Sequence, residues 1–276
     1  MRHRKANKEQ RRNGSEGSPA LRRLAKLRQR LEATKIDAIL VHSLPNVQYL
    51  TGFSGSAGAL LVTPSDAIFF TDSRYDLQAH QEVEGSRVVI TKESAGMAAA
   101  KRAAKMRQRR VGFESDTLPY AGHRRLKEVL QKGKLVATRG MVEALRVEKD
   151  AGEIEQIRKA VELGSRAFEE TLPLLRPGMT ELEVAAEIEY RMRRYGGERP
   201  SFETIVATGP RAALPHARAG TRKVQPNEFI LLDLGVILGG YASDMTRTVF
   251  LGKAPQKAAR MYRAVLEAQL EAEQAV

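Results

Sequence analysis

From Pro19 onward, apolar residues return every three or four positions: Leu21, Leu24, Leu27, Leu31. That period marks a helix with one buried stripe. A buried-strand run, Ile36-Asp37-Ala38-Ile39-Leu40-Val41, follows it. Further strand runs stand at 58–63, 67–71, 87–91, 110–113 and 134–138, with helical stretches near 74–84, 95–108 and 119–132 between several of them. Strands alternating with helices at this spacing predict an α/β layer, complete by about residue 140.

A different regime begins after it. Residues 150–172 predict one long helix, with Ile154, Ile157, Val161, Phe168 and Leu172 on its apolar stripe. Arg176-Pro177-Gly178-Met179 predicts a turn. Thr180 then opens a helix, with Glu183 three residues on as the partner in a capping box. Val184, Ile188, Met192 and Tyr195 form its stripe, and Gly196-Gly197 stops it. Strand patterns at 202–207, 228–238 and 241–250 follow, and a last helix begins near Pro255. The organisation expected is a disordered basic tail over 1–20, an α/β domain over 21–140 and an α+β domain over 141–276.

Composition narrows the class. The chain of 276 residues is 42% hydrophobic and 29% charged, which suits globular domains. No apolar run approaches the ~18–20 residues of a membrane-spanning helix, so no membrane partner is expected. The basic N-terminus has no apolar stretch behind it, which argues against a secretory signal. The absence of cysteine excludes disulfides, thiolate metal sites and a cysteine nucleophile. A cytoplasmic location is the expectation. Of the net charge of +13, residues 1–20 contribute +4, and basic helices such as 101–110 and 121–128 carry much of the rest. No nucleic-acid motif accompanies this charge and aromatics are only 5%, so a solvated basic surface is expected, without a nucleic-acid partner.

The chemistry gathers on one hairpin. Gly239-Gly240 suits a two-residue turn, because both positions can take positive φ. Leu238 then opposes Tyr241, Asp233 opposes Thr246, and Gly235 opposes Asp244. Directly opposed residues share a face, as do residues two apart on one strand. Asp233, Asp244 and Thr246 therefore point the same way, with Gly235 expected to leave space between the acids. The leucines around Asp233 suggest a buried strand, where two carboxylates repel unless a proton or a cation intervenes. Metal binding, an acid dyad and a hydrated, solvent-facing pair all remain open on pattern alone. Gly52, Gly55 and Gly58 lack the spacing and terminal Lys-Ser/Thr of a phosphate loop, so they predict a close-packed turn.

The wider segment F-E-T-I-V-A-T-G-P-R-A-A-L-P-H-A, then L-L-D-L-G-V-I-L-G-G-Y-A-S-D-M-T-R-T, closely resembles the Xaa-Pro aminopeptidase and Xaa-Pro dipeptidase (prolidase) family. N-V-Q-Y-L-T-G-F-S-G-S-A-G at 46–58 and T-D-S-R-Y at 71–75 look like that family's creatinase-type N-terminal domain. The resemblance implies an α/β N-terminal domain followed by an incomplete α+β pita-bread domain. It further implies two divalent ions, Mn²⁺ first and Co²⁺ or Zn²⁺ next, with Asp233 and Asp244 as ligands. His216, otherwise an ordinary loop histidine, matches the family histidine that contacts substrate. Thr246 fits a position supporting the metal centre. The implied substrates are short proline-containing peptides and the implied assembly a homodimer. Creatine hydrolysis and methionine removal share the fold, but both N-terminal motifs lean towards proline-specific peptidases.

The family's site also needs a histidine and two glutamates downstream of Asp244. The last 26 residues contain no histidine, and Glu267, Glu271 and Glu273 fit a charged helix face. The expectation is a C-terminally truncated chain that is inactive alone. The alternative is a catalytically dead peptide- or nucleic-acid-binding module on the same fold.

Overall fold

Ser18 sets where the first helix starts. Its hydroxyl accepts the Leu21 amide, and Pro19 in the first turn brings a φ already suited to a helix. Helix α1 (Pro19–Ala33) thus begins inside the stretch expected as tail, with Ala20 already buried. The rest of that expectation lies outside the described residues, which in this computed structural model are 17–106, 109–130 and 134–276. The chain divides into two units between Lys149 and Asp150.

In the first unit, strands β1 (Ala38–Val41), β2 (Ala59–Val62), β3 (Ala67–Thr71), β4 (Arg87–Ile90), β5 (Arg110–Glu114) and β6 (Lys134–Thr138) form one mixed sheet. Its order is β4-β3-β2-β1-β5-β6, with β2 antiparallel to both neighbours and the other pairs parallel. The continuous apolar runs of β1 to β3 are buried on both faces, as covered strands require. Ile39, Val41, Leu60 and Phe69 pack under α1 and helix α2 (Leu44–Thr51). Short helix α3 (Asp76–Glu82) precedes β4. On the other face, Leu40, Leu61 and Phe70 meet helices α4 (Ala95–Lys105) and α5 (Tyr120–Leu130). The unit extends beyond the boundary expected at 140, because Val142 and Leu145, the latter in helix α6 (Glu143–Arg146), belong to its core. The glycine-rich 52–58 segment packs an aromatic cluster, with Phe53 4.6 Å from Phe69 and 5.5 Å from Tyr75 between ring centroids.

The second unit opens with helix α7 (Ala151–Thr171), started by a capping box between Asp150 and Glu153. Its buried face differs from the stripe in the sequence. Ala160, Leu163, Gly164 and Ala167 face inward, whereas Ile154 and Val161 are 48% and 45% exposed. The sheet comes so close that small residues fit there, and Gly164 lies against Ser243. Helix α8 (Glu181–Arg194) matches its pattern: Thr180 and Glu183 form the capping box, and Val184, Ile188 and Met192 are buried.

Six strands stand where three strand patterns were expected, because the two longer ones break and a short strand precedes them. Strands β7 (Arg199–Pro200) and β8 (Ile205–Thr208) are followed by β9 (Glu228–Leu234) and β10 (Val236–Leu238), then β11 (Tyr241–Ala242) and β12 (Met245–Leu251). They form two three-stranded sheets, β11-β10-β7 and β12-β9-β8. Helix α9 (Gln256–Gln274) closes the described chain. Ile230, Leu232 and Leu234 lock the β9 sheet onto α7 and α8.

Candidate metal centre

The hairpin turn forms as its two glycines require: φ is +59° at Gly239 and +78° at Gly240. Leu238 pairs with Tyr241, and Asp233 with Thr246. One register therefore runs through the whole hairpin and sets Gly235 across from Asp244, although the ladder is interrupted there. The interruption has a specific cause. Ser201 donates its hydroxyl to the Ser243 carbonyl at 2.8 Å, and the Ser201 amide donates to the Gly235 carbonyl. A Cβ on Gly235 would lie 2.1 Å from the Ser243 oxygen and 2.2 Å from Ser201 Oγ. The space expected above Gly235 is thus filled, and glycine is needed so that another strand can come close.

Asp233 lies in mid-strand, with Ile205 opposite on β8 and Thr246 opposite on β12. Since Leu232 and Leu234 face the core, Asp233 faces away from it and is half-buried. Thr246 Oγ1 donates to Asp233 Oδ1 at 2.8 Å, which holds the carboxylate in one orientation. Asp244 is exposed. The buried pair suggested by the surrounding leucines is therefore corrected: the apolar residues alternate to the far face and leave the acids on the open one.

His216 reaches the same place from a different element. Asp233, Asp244 and His216 all line one cleft of about 360 Å³, together with Phe202, Glu203, Ile205, Ala217 and Arg218. His216 itself is exposed. The segment carrying it is tied down at both ends by Glu181, whose side chain is completely buried. Glu181 accepts from the Thr208 amide at 2.9 Å, the Thr208 hydroxyl at 3.0 Å and the Gly220 amide at 3.0 Å, and pairs with Arg211 at 3.2 Å. Below it, Arg222 bonds Thr208 and forms a two-pronged pair with Glu228 at 2.7 and 2.8 Å. The Arg222 guanidinium holds the Glu228 carboxyl below its usual range, against the opposing effect of burial.

Sequence reasoning missed this clamp. Glu181 sits in the first turn of α8, where an acidic residue is already explained by the helix dipole. Its spacing to Thr208 and Gly220 carries no local signal. Glu203 and Arg218, paired at 3.4 Å on the cleft wall, were missed for the same reason. Tyr241, opposite Leu238, donates to Glu153 at 2.9 Å and so joins the hairpin to α7. Arg247 donates to the Thr246 carbonyl at 2.9 Å.

Two carboxylates on one face offer the oxygen donors that hard or borderline divalent ions prefer. They are part of a donor set only. Among the described residues, no group of three or more His, Asp or Glu side chains could hold a metal ion. The fit is therefore to a half-site.

Two family models cover most of the chain: Creatinase/Prolidase N-terminal domain over residues 23–147 and Metallopeptidase family M24 over 155–276. The chain is 35% identical over 247 residues to the "Uncharacterized peptidase YqhT" of Bacillus subtilis, covering 90% of this chain and 70% of that protein. It is 32% identical to a Xaa-Pro dipeptidase of Pyrococcus horikoshii, covering 91% and 70%. The solved Xaa-Pro dipeptidase of Bacillus anthracis superposes with a TM-score of 0.86 at 36% identity, covering 91% of this chain and 70% of that one. The pita-bread domain of these peptidases thus accounts for the second unit and the creatinase-type domain for the first. The chain belongs to metallopeptidase family M24, among the Xaa-Pro dipeptidases (prolidases) that carry a creatinase/prolidase N-terminal domain.

Proposed function

We propose that this chain carries the first metal ligands and the substrate-contacting histidine of a Xaa-Pro peptidase centre. Its substrates would be short peptides with proline second, cleaved at the bond before the proline, by aminopeptidase or dipeptidase action. The observation that carries this reading is the convergence of Asp233 from β9, Asp244 from just before β12 and His216 from a clamped loop on one cleft.

Asp233 and Asp244 would hold two divalent ions, Mn²⁺ first, with Co²⁺ and Zn²⁺ as alternatives. Such ions supply an acidified water and positive charge for a developing oxyanion. The chain's own residues do the rest. Thr246 fixes Asp233 by donating to one of its oxygens, so that the carboxylate needs no reorientation on loading. His216, on the cleft wall, donates a hydrogen bond to the scissile carbonyl oxygen as negative charge grows there. Glu181 keeps both ends of the His216 segment in place, which preserves that alignment. The first unit, up to Lys149, would act as the creatinase-type domain that narrows access in a homodimer, and 150–276 as the peptidase domain's part of this chain, in the cytoplasm.

A half-site holds metal weakly and aligns a water poorly. This 276-residue polypeptide by itself is therefore expected to show no turnover of a Xaa-Pro dipeptide with Mn²⁺. The assay is release of free proline from the purified chain. Turnover at ordinary enzyme rates would refute inactivity. Mn²⁺ binding that ignores loss of Asp233 and Asp244 would refute the ligand assignment.

A further inference from the structure

The positive charge of this chain is not spread over its surface. Between residues 101 and 139 there are twelve Lys/Arg and three Asp/Glu, a net +9. With the +4 of residues 1–20 this accounts for all of the chain's +13, so everything else sums to zero. The described part of the basic segment is built mainly on α4 and α5, which lie on the same face of the first unit's sheet. Ala99, Ala100 and Ala103 of α4 and Leu126 and Leu130 of α5 share one core cluster there. Their opposite sides carry exposed Arg102, Lys105, Arg124, Arg125 and Lys127, and exposed Arg109 stands just before β5.

A solvated basic surface is ordinarily interleaved with acids. Here Lys101 is bridged to Glu93 at 2.6 Å, while none of those six side chains has an ion-pair partner among the described residues. Cations crowded on adjacent helices repel one another within a Debye length of about 8 Å at physiological salt, so a polyanion relieves a standing repulsion. Four of the six are arginines, whose planar donors match phosphate oxygens.

We propose that the α4–α5 face binds the phosphate backbone of nucleic acid without reading base sequence. This is a property of the first unit and does not depend on the peptidase reading. Tyr120, 77% exposed and stacked on His123 with ring centroids 6.4 Å apart, adds an aromatic face at the start of α5 on which a base can stack. An anionic membrane fits less well. A helix lying in a bilayer needs an apolar stripe in the interface, and Tyr120 is the one exposed large apolar side chain among the described residues of α4 and α5.

The test is fluorescence anisotropy of the full chain with labelled single-stranded RNA and duplex DNA of about 20 nucleotides, from about 50 to about 300 mM salt. Saturable binding is expected, with a log–log salt slope of about −4 to −5 on duplex, as five or so phosphate contacts give. The triple variant R102E/R124E/R125E should weaken binding by about tenfold or more and flatten the slope. The glutamine counterparts R102Q/R124Q/R125Q give a milder loss in the same direction, and circular dichroism checks the fold of both. K257E/R260E/R263E changes net charge equally on α9 and should weaken binding less than about threefold. Absence of binding near physiological salt, or equal losses in the two glutamate variants, would overturn the proposal. Retention on phosphatidylserine vesicles with no nucleic-acid binding would overturn it too, and give the face to a membrane.

Discussion

In the proposed centre, Asp233 and Asp244 would act through oxygens that Thr246 and the open face of the sheet leave available. Replacing either with Asn should lower Mn²⁺ affinity by about tenfold or more, while Thr246→Val gives a smaller loss in the same direction. Titration calorimetry or the Mn²⁺ resonance spectrum reads both; unchanged affinity in the two Asn variants would remove the assignment. Glu228 allows a prediction about pH. Its carboxyl, 12% exposed, is held below the ordinary range by Arg222. A depressed folded-state pKa adds stability that is complete above the unfolded value near ~4.3 and is lost as pH falls through the folded one. Wild type should therefore lose stability below about pH 5, and Glu228→Gln should be less stable at neutral pH yet show a shallower acid limb. Urea midpoints from pH 3 to 7 decide it, and parallel acid limbs would show that this pair does not set them.

At the level of elements, the hairpin and the clamp depend on close approaches. Gly235→Ala places a methyl 2.1 Å from the Ser243 carbonyl, where backbone must move, so a loss of about 3 kcal/mol or more is expected. Gly240→Ala meets the left-handed backbone penalty, about 1 kcal/mol. Comparing the two by denaturant unfolding separates steric approach from turn geometry; equal losses would show that the approach relaxes cheaply. Glu181→Ala strands the buried Thr208 amide and the Gly220 amide together, and about 2–4 kcal/mol should be lost. Hydrogen exchange should rise across 208–220, the segment that carries His216. Exchange unchanged in that segment would mean that other contacts hold it.

For the whole molecule, each unit has its own core, with the division after Lys149. Residues 17–149 expressed alone should accordingly unfold in one cooperative urea transition. A featureless, non-cooperative loss of signal would show that the first unit needs the second. The two regimes of hydrophobic spacing, alternating strands and helices before about 140 and long helices then strands after it, already marked these units in the sequence. The exact border did not show, because Val142 and Leu145 are two apolar residues in a short segment and only packing tells which core receives them.

Local rules were enough for the capping box at Thr180, the Gly239-Gly240 turn, and the pairing of Asp233 with Thr246. Each depends on residues a few positions apart, or on a register counted from one turn. The motifs around Asp233, Asp244 and His216 were legible for the same reason. What tertiary structure alone decided involves partners distant in the chain. The small-residue face of α7 replaced the expected Ile154–Val161 stripe because of how near the sheet lies. The long strands broke where Ser201 entered at Gly235. Glu181 became a buried clamp only because Thr208, Arg211 and Gly220 return to it. Spacing along the chain sets which side of a strand or helix a residue occupies; the element that meets that side, and how closely, follows only from the fold.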